Sequence, residues 1–217
     1  MDKTSQDTHL NLQQRYFSQR VSSFSQDIPQ DVKQRLEKIV NLSKLKSSHT
    51  VLDVATGTGV LIEYFLKLGV SPKNIVGIDL THEMLSQASS KYPEVAFCNT
   101  DFLKFGPESD FILNNNDSEK VNLKFNQIYF NACFGNFLNQ KLVIKKAKSL
   151  LKSRGKIIIS HPLGKKFVAQ LNMACPEIVP NLLPDQEKLL ELASQFNLDI
   201  NLFDDCVDFY IAILQKL

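Results

Sequence analysis

From residue 50 onward, short runs of β-branched and aliphatic residues alternate with segments whose apolar positions recur at helical spacing. HTVLDVA, NIVGIDL and EVAFCNT read as strands, and VLIEYFLKL and HEMLSQASSKY between them read as helices. Strands that are almost continuously hydrophobic and are separated by helices indicate a parallel sheet covered on both faces. The first of these helices is predicted from about Val60 to Leu68, ending at Gly69, with Pro72 barring its continuation. Thr81 stands at the cap position of the second, although Met84 occupies the place where a capping box wants Glu.

The stretch from Phe105 to Lys124, with Pro107, NNND and Ser118, is polar and turn-rich and reads as an exposed insertion. Beyond it come a strand, FNQIYF, a helix from about Asn139 to Leu151, a turn at Arg154-Gly155, and the strand KIIIS ending at Ser160. A short helix (Lys165 to Met173) and a proline-punctuated loop precede PDQEKLLELASQF, a helix with Asp185 as its cap. LDINLF and DFYIAILQKL then read as strands joined at Asp204-Asp205-Cys206, a link so short that it demands antiparallel pairing. The fold class expected is α/β: a doubly wound, mostly parallel, seven-stranded Rossmann-like sheet ending in an antiparallel hairpin. Upstream, a core helix is predicted from about Asp31 to Asn41, preceded by QRYFSQRVSSF.

Composition narrows the class. The 217 residues suit one globular domain, and 43% hydrophobic against 22% charged residues argues against disorder. A net charge of +2, from 25 basic and 23 acidic side chains, gives no sequence-wide basic field. The pairs Lys145-Lys146 and Lys165-Lys166 read as solvated helix faces, and no nucleic-acid partner is expected. No stretch approaches the roughly 18 to 20 apolar residues of a membrane-spanning helix. Cys98, Cys133, Cys175 and Cys206 form no CxxC pair and have no histidines at zinc-ligand spacing, so reduced thiols and no metal are expected. The first 25 residues lack the apolar core of a secretory signal, which fits a cytoplasmic protein; the Ser/Gln-rich, Arg-containing start also fits the remnant of an organelle-targeting segment.

The chemistry concentrates where VLDVA runs into Thr56-Gly57-Thr58-Gly59 and then directly into a helix. Glycines suit a turn that a ligand approaches closely, where a β-carbon would collide. Ile62 occupies the place of the third glycine in the dinucleotide fingerprint GxGxxG, which argues against NAD or FAD. Asp79 follows Gly59 by 20 residues at the end of the second strand, where an ionised carboxylate can accept hydrogen bonds from vicinal ribose hydroxyls. Asp101-Phe102 ends the third strand in the same way.

These motifs together resemble the class I S-adenosylmethionine-dependent methyltransferases, specifically the small-molecule branch with a type 11 methyltransferase domain, over nearly the whole chain. VLDVATGTGVL matches the family's first motif, VGIDLTHEML its second and CNTDFLKF its third. LLKSRGKIIIS resembles LLKPGGxxxI, with Ser153-Arg154-Gly155 replacing Pro-Gly-Gly. The resemblance implies S-adenosylmethionine as cofactor and S-adenosylhomocysteine as product. It implies that Gly57 and Gly59 pass under the methionine part, that Asp79 holds the ribose, and that Asp101 and Phe102 meet the adenine. Met84 would pack on the adenine ring, Asp53 would organise the loop through backbone amides, and Ala55, Thr56, Thr58, Leu80 and Asn131 would complete the cofactor-binding set. Residues 1–45 would form a helical lid or substrate segment and residues 46–217 the cofactor-binding domain, as a monomer or homodimer.

Ligands of open α/β sheets sit beyond the C-terminal ends of the strands, so NACFGNF (131–137) and SHPLG (160–164) are expected to face the methyl acceptor. Asn131-Ala132-Cys133 lacks the paired prolines with which base-flipping amino-methyltransferases shape a slot, which argues against that chemistry. The acceptor expected is a small, apolar or aromatic molecule. A protein or RNA methyltransferase, or a non-catalytic cofactor-binding module, is the alternative. His161 is the candidate general base; otherwise it hydrogen-bonds the start of the next helix. Cys133 reads as a small buried residue, and His9, His49 and His82 as surface residues. Tyr16 and Phe17 are candidates to close over cofactor and substrate; the alternative, compatible with a lid, is that Phe17, Val21 and Phe24 form one apolar face of a packing helix.

Overall fold

The computed structural model of the chain describes every residue except 1, 2, 25, 26, 108 and 113–122. The centre of the expected insertion therefore lies outside the described residues. Three helices, α1 (Lys3–Ser18), α2 (Val21–Phe24) and α3 (Gln30–Leu42), precede β1 (Val51–Val54). There follow α4 (Ile62–Lys67), β2 (Ile75–Asp79), α5 (His82–Lys91), β3 (Ala96–Asn99) and β4 (Phe111–Ile112). The second half contains β5 (Phe125–Asn131), α6 (Gln140–Leu150), β6 (Leu151–His161), α7 (Gly164–Ala174), α8 (Gln186–Gln195), β7 (Leu198–Cys206) and β8 (Phe209–Lys216).

The strands form one sheet in the order β4-β3-β2-β1-β5-β6-β8-β7. The five strands from β3 to β6 in this order are parallel, and β8 and β7 close the far edge antiparallel to β6 and to each other. These are the seven expected strands; β4 adds a two-residue antiparallel rung beside β3. The chain winds outward from β1 through β2 and β3, then returns to lay β5 on the other side of β1. This reversal opens a crevice beyond the C-terminal ends of β1 and β5.

Alternation along the central strands sends side chains to both faces. Leu52, Val54, Ile128, Phe130, Ile157 and Ile159 pack beneath α6 and α8, while Val51, Ile75, Tyr129 and Ile158 pack beneath α3, α4 and α5. Gln127 and Tyr129, both fully buried, are satisfied by each other and by the α3–β1 loop: the Tyr129 hydroxyl donates to Gln127 Oε1 at 2.5 Å, and Gln127 Nε2 donates to the Ser43 carbonyl at 3.0 Å.

Two turns differ from the sequence expectation. No break separates α6 from KIIIS: β6 runs through Arg154-Gly155, and residues 152–155 form a bulge between Leu151, which pairs with Phe125, and Lys156, which pairs with Gln127. Arg154 takes φ +58° there. The hairpin turns at Val207-Asp208 rather than at Asp204-Asp205-Cys206, because Cys206 still pairs with Phe209. The Asp185 cap is formed, its carboxylate accepting the Lys188 amide at 2.8 Å. Thr81 occupies the cap position of α5 without a side-chain cap hydrogen bond.

Gly164, at the start of α7, combines φ +72° with backbone on every side: a β-carbon would stand 2.7 Å from the Val207 carbonyl oxygen and 2.8 Å from the Phe209 nitrogen. Neither neighbour is a flexible side chain, and the hairpin turn would have to shift. Gly164→Ala is expected to lower the unfolding free energy by at least about 2 kcal/mol in urea titration, from strain and overpacking together.

Candidate active site

The crevice floor is built by the β1–α4 loop. Ala55, Gly57 and Gly59 all have positive φ, +54°, +57° and +80°. Three left-handed residues in five turn the chain sharply, and two of them are glycine, which adopts this conformation without cost. A β-carbon on Gly57 would meet nothing within 4 Å, so this side of the loop faces open space. On Gly59 it would stand 2.9 Å from the Tyr92 ring. The first glycine leaves room for a ligand, and the second lets the loop pack on α5.

Asp79, at the end of β2, clamps this loop. Its Oδ2 accepts the Gly57 amide at 2.9 Å and its Oδ1 the Thr81 amide at 2.8 Å. Each oxygen keeps a further lone pair, and the side chain stays part-exposed in the crevice. Burial raises its pKa, and the amide hydrogen bonds oppose that shift. Asp53 lies deeper, 2% exposed, and meets the Thr56 hydroxyl at 2.7 Å. The loop amide expected on Asp53, that of Gly57, goes to Asp79 at the end of β2 instead, while Asp53 accepts a loop hydroxyl, that of Thr56. Burial, opposed by the Thr56 hydrogen bond and reinforced by the Asp79 charge, pushes Asp53 up to about 7.

Asp101 follows β3. Its Oδ1 accepts the Leu103 amide at 3.3 Å, while Oδ2 is buried with no hydrogen-bond partner. A buried carboxylate oxygen without a donor is costly unless a ligand supplies one. Phe102 is placed differently from the expectation. Its ring is 2% exposed and packs edge-to-face on Phe130 at 5.1 Å, within a cluster that includes Phe134 and Phe137. Aromatic edge-to-face packing ties the β3 end to the segment after β5, so the ring has no free face for a ligand. Met84 is likewise 3% exposed. Thr56 is buried, Ala55 is exposed, and Thr58 and Leu80 lie part-exposed along the crevice rim. Asn131, at the end of β5, accepts the Ser160 hydroxyl at 3.0 Å.

His161 closes β6, 5% exposed, with the Phe167 ring 5.4 Å away. Burial pushes its pKa down to about 4, so the ring is neutral at physiological pH. The Leu163 amide donates to Nδ1 at 3.1 Å, which places the ring's proton on Nε2. The remaining nitrogen is thus a donor and has no lone pair with which to accept a substrate proton. This corrects the general-base expectation for His161 on hydrogen-bonding grounds.

His9 was not expected at the site. It is 8% exposed on α1, and its Nε2 lies 2.9 Å from the Asn136 carbonyl. Gln13 donates to the same carbonyl and to that of Ile178, both at 2.8 Å. Ser18 reaches Glu83 at 3.0 Å, and Asp7 pairs with Lys104 at 3.5 Å. Helix α1 is thereby fastened across the rim, to the segments after β3, after β5 and after α7, and to the start of α5. The available signal was spacing: His9, Gln13 and Phe17 recur every four residues and share one helical face. The chain breaks at residues 19–20 before α2, so Phe17 and Phe24 meet across a bend, 6.1 Å apart, rather than along one helix.

Residues 45–198 match the sequence profile of a family described as a methyltransferase domain. No curated protein matches the sequence. An S-adenosylmethionine-dependent methyltransferase from Aquifex aeolicus is similar in fold, with a TM-score of 0.68 at 15% identity over 92% of this chain and 98% of that one. The magnesium protoporphyrin IX methyltransferase of Synechocystis, solved with bound S-adenosylmethionine, gives 0.65 at 14% identity over 96% and 97%. The N-methyltransferase NodS of Bradyrhizobium japonicum, solved with S-adenosylhomocysteine, gives 0.63 at 12% identity over 88% and 89%. No helix among the described residues is long and apolar enough to cross a membrane.

The raised pKa of Asp53 has a signed effect on stability. Its folded value, about 7, exceeds its ordinary value of 3.8, so the folded chain holds a proton that the unfolded chain has released. That contribution is complete below pH 4 and is lost as pH rises through about 7. Asp53→Asn, which keeps an acceptor for Thr56, is expected to lose less stability than the parent between pH 5 and 8. Thermal unfolding across that range measures it; a constant gap between the two proteins would refute the assignment.

Proposed function

The chain belongs to the methyltransferase-domain family and is an S-adenosylmethionine-dependent methyltransferase, and from that premise we propose that it methylates a small apolar or aromatic molecule in the crevice beyond β1 and β5. The observation that carries the small acceptor is the fastening of α1 across the crevice rim, through His9 and Gln13 to the Asn136 carbonyl. An opening covered in this way admits a compact molecule more readily than a folded protein surface. We infer that residues 1–45 act as that cover and residues 46–217 as the cofactor-binding domain.

The residues present fit the cofactor. Asp79 has one unused acceptor site on each oxygen for the two ribose hydroxyls, and the loop amides hold both oxygens in place. The orphan Oδ2 of Asp101 suits the exocyclic amino group of adenine. Gly57 leaves room for the methionine part over the loop, and Ala55, Thr58, Leu80 and Asn131, at or just beyond the C-terminal ends of β1, β2 and β5, are the residues proposed to complete the cofactor site. Asp53 and Thr56 act one layer below by holding the loop. S-adenosylmethionine supplies an already activated methyl group for in-line displacement, so alignment and exclusion of water account for most of what the protein must add. His161 serves as a positioning residue: it holds the β6–α7 turn through Leu163 and presents Nε2–H as a donor.

Calorimetry with S-adenosylhomocysteine is expected to give micromolar binding that disappears in Asp79→Ala; unchanged binding would refute the ribose assignment. With a labelled methyl donor, label should enter the low-molecular-mass fraction of a cell extract, and label confined to protein or RNA would overturn the acceptor class. His161→Gln is expected to lower kcat less than about threefold with an unaltered pH profile, whereas loss of a general base costs roughly 10²-fold or more.

A further inference from the structure

The near-neutral net charge conceals a strong segregation. Residues 124–176 contain ten of the 25 basic side chains and none of the 23 acidic ones, leaving 15 basic against 23 acidic in the other 164 residues. The fold gathers part of this excess at the N-terminal ends of the parallel strands, opposite the crevice. The bulge of β6 brings Lys152, Arg154 and Lys156 there, the end of β8 brings Lys216, and the α3–β1 loop adds Lys44 and Lys46. Among the described residues none of these lysines forms an ion pair; the paired lysines lie elsewhere, as Lys38 with Asp204, Lys67 with Glu63 and Lys165 with Asp205. Glu94, ahead of β3, and Asp199, across from Gln215, stand at the two flanks.

Three of the ammonium groups are anchored to the fold. Lys156 Nζ donates to the Ser43 carbonyl at 2.9 Å, Lys216 Nζ to the Leu151 carbonyl at 3.1 Å, and Lys152 Nζ to Asn126 Oδ1 at 3.4 Å. Each such group spends one of three donors on the fold and keeps two for a ligand. Their mutual repulsion is felt locally. Burial, then the charges of Lys46, Lys156 and Lys152, hold His49 below its ordinary pKa, and burial, then Lys44 and Lys46, do the same to Lys156. Like charges this close, with no ion pair among the described residues, are a standing cost that a polyanion would relieve.

We propose that this basic end of the sheet is a docking surface for the phosphate backbone of RNA. A fluid anionic lipid surface needs no fixed cations, whereas a backbone with set phosphate spacing gains from ammonium groups already anchored in place. Seven-residue β5 separates the surface from the crevice by about 20 Å at 3.3 Å per residue. The docking surface is therefore separate from the methyl-transfer crevice, and the proposal does not rest on the acceptor class proposed above.

Fluorescence anisotropy of a labelled 20-nucleotide single-stranded RNA with the full chain tests it across 50 to 200 mM KCl. Three to five phosphate contacts predict that log K falls against log[salt] with a slope of about −2 to −4. The variant Lys46→Glu/Lys152→Glu/Arg154→Glu, all at surface positions, should bind at least about tenfold more weakly with a slope shallower by about 2. Lys166→Glu/Lys188→Glu, the same kind of charge reversal elsewhere, should stay within twofold of the parent. S-adenosylhomocysteine binding should be equal in all three proteins, which shows that they are folded. Absence of RNA binding at 50 mM KCl, an equal loss in the second variant, or capture of phosphatidylserine vesicles without RNA would each overturn the proposal.

Discussion

The carboxylate of Asp79 is the joint on which the site depends. One oxygen holds the amide of Gly57 and the other that of Thr81, so a single side chain at the end of β2 fixes both the β1–α4 loop and the start of α5. The loop could not take that path otherwise. Ala55, Gly57 and Gly59 all take positive φ; the Thr56 and Gly59 amides find the backbone carbonyls of Ile78 and Thr56, and the Gly57 amide finds Asp79. The Asp53–Thr56 contact supports the same turn from below. Burial raises the pKa of both carboxylates; the amides on Asp79 oppose the shift there, and on the deeper Asp53 the Asp79 charge adds to it.

That arrangement sets a pH balance within the fold. Asp53 favours the folded chain at low pH, because it holds a proton up to about 7. His161 acts in the opposite sense: held neutral down to about 4, it withholds a proton that the unfolded chain takes up below 6.5, so its contribution is present above pH 6.5 and is lost as pH falls towards 4. Both groups are buried near the C-terminal ends of their strands, Asp53 beneath the β1–α4 loop and His161 at the end of β6.

Much of this was legible in the residues. The alternation of strands and helices, the Asp185 cap, the glycine loop and the acids closing β2 and β3 are local patterns, each set by spacing within some twenty residues. What was misread depended on partners far along the chain. Phe102 read as an adenine contact, yet it is buried with Phe130 and Phe137 packed edge-to-face on it. His9 read as a surface residue, yet the Asn136 carbonyl, 127 positions away, buries it. Arg154-Gly155 read as a turn, because nothing local reveals that β5 and β8 hold both ends of the bulge in register.

The sequence by itself determined the fold class and a crevice beyond the C-terminal ends of the strands, since periodicity, capping and glycine placement are short-range and physically stringent, and its motifs carried the resemblance that implied the cofactor. Only the tertiary structure decided which nitrogen of His161 carries the proton, which side of the crevice α1 covers, and where the lysines gather. A hydrogen bond from Leu163 or a shared carbonyl at Asn136 exists only once distant backbone is in place. A balanced count of charges likewise says nothing about how folding distributes them, which is how a chain of net charge +2 comes to present one strongly basic end.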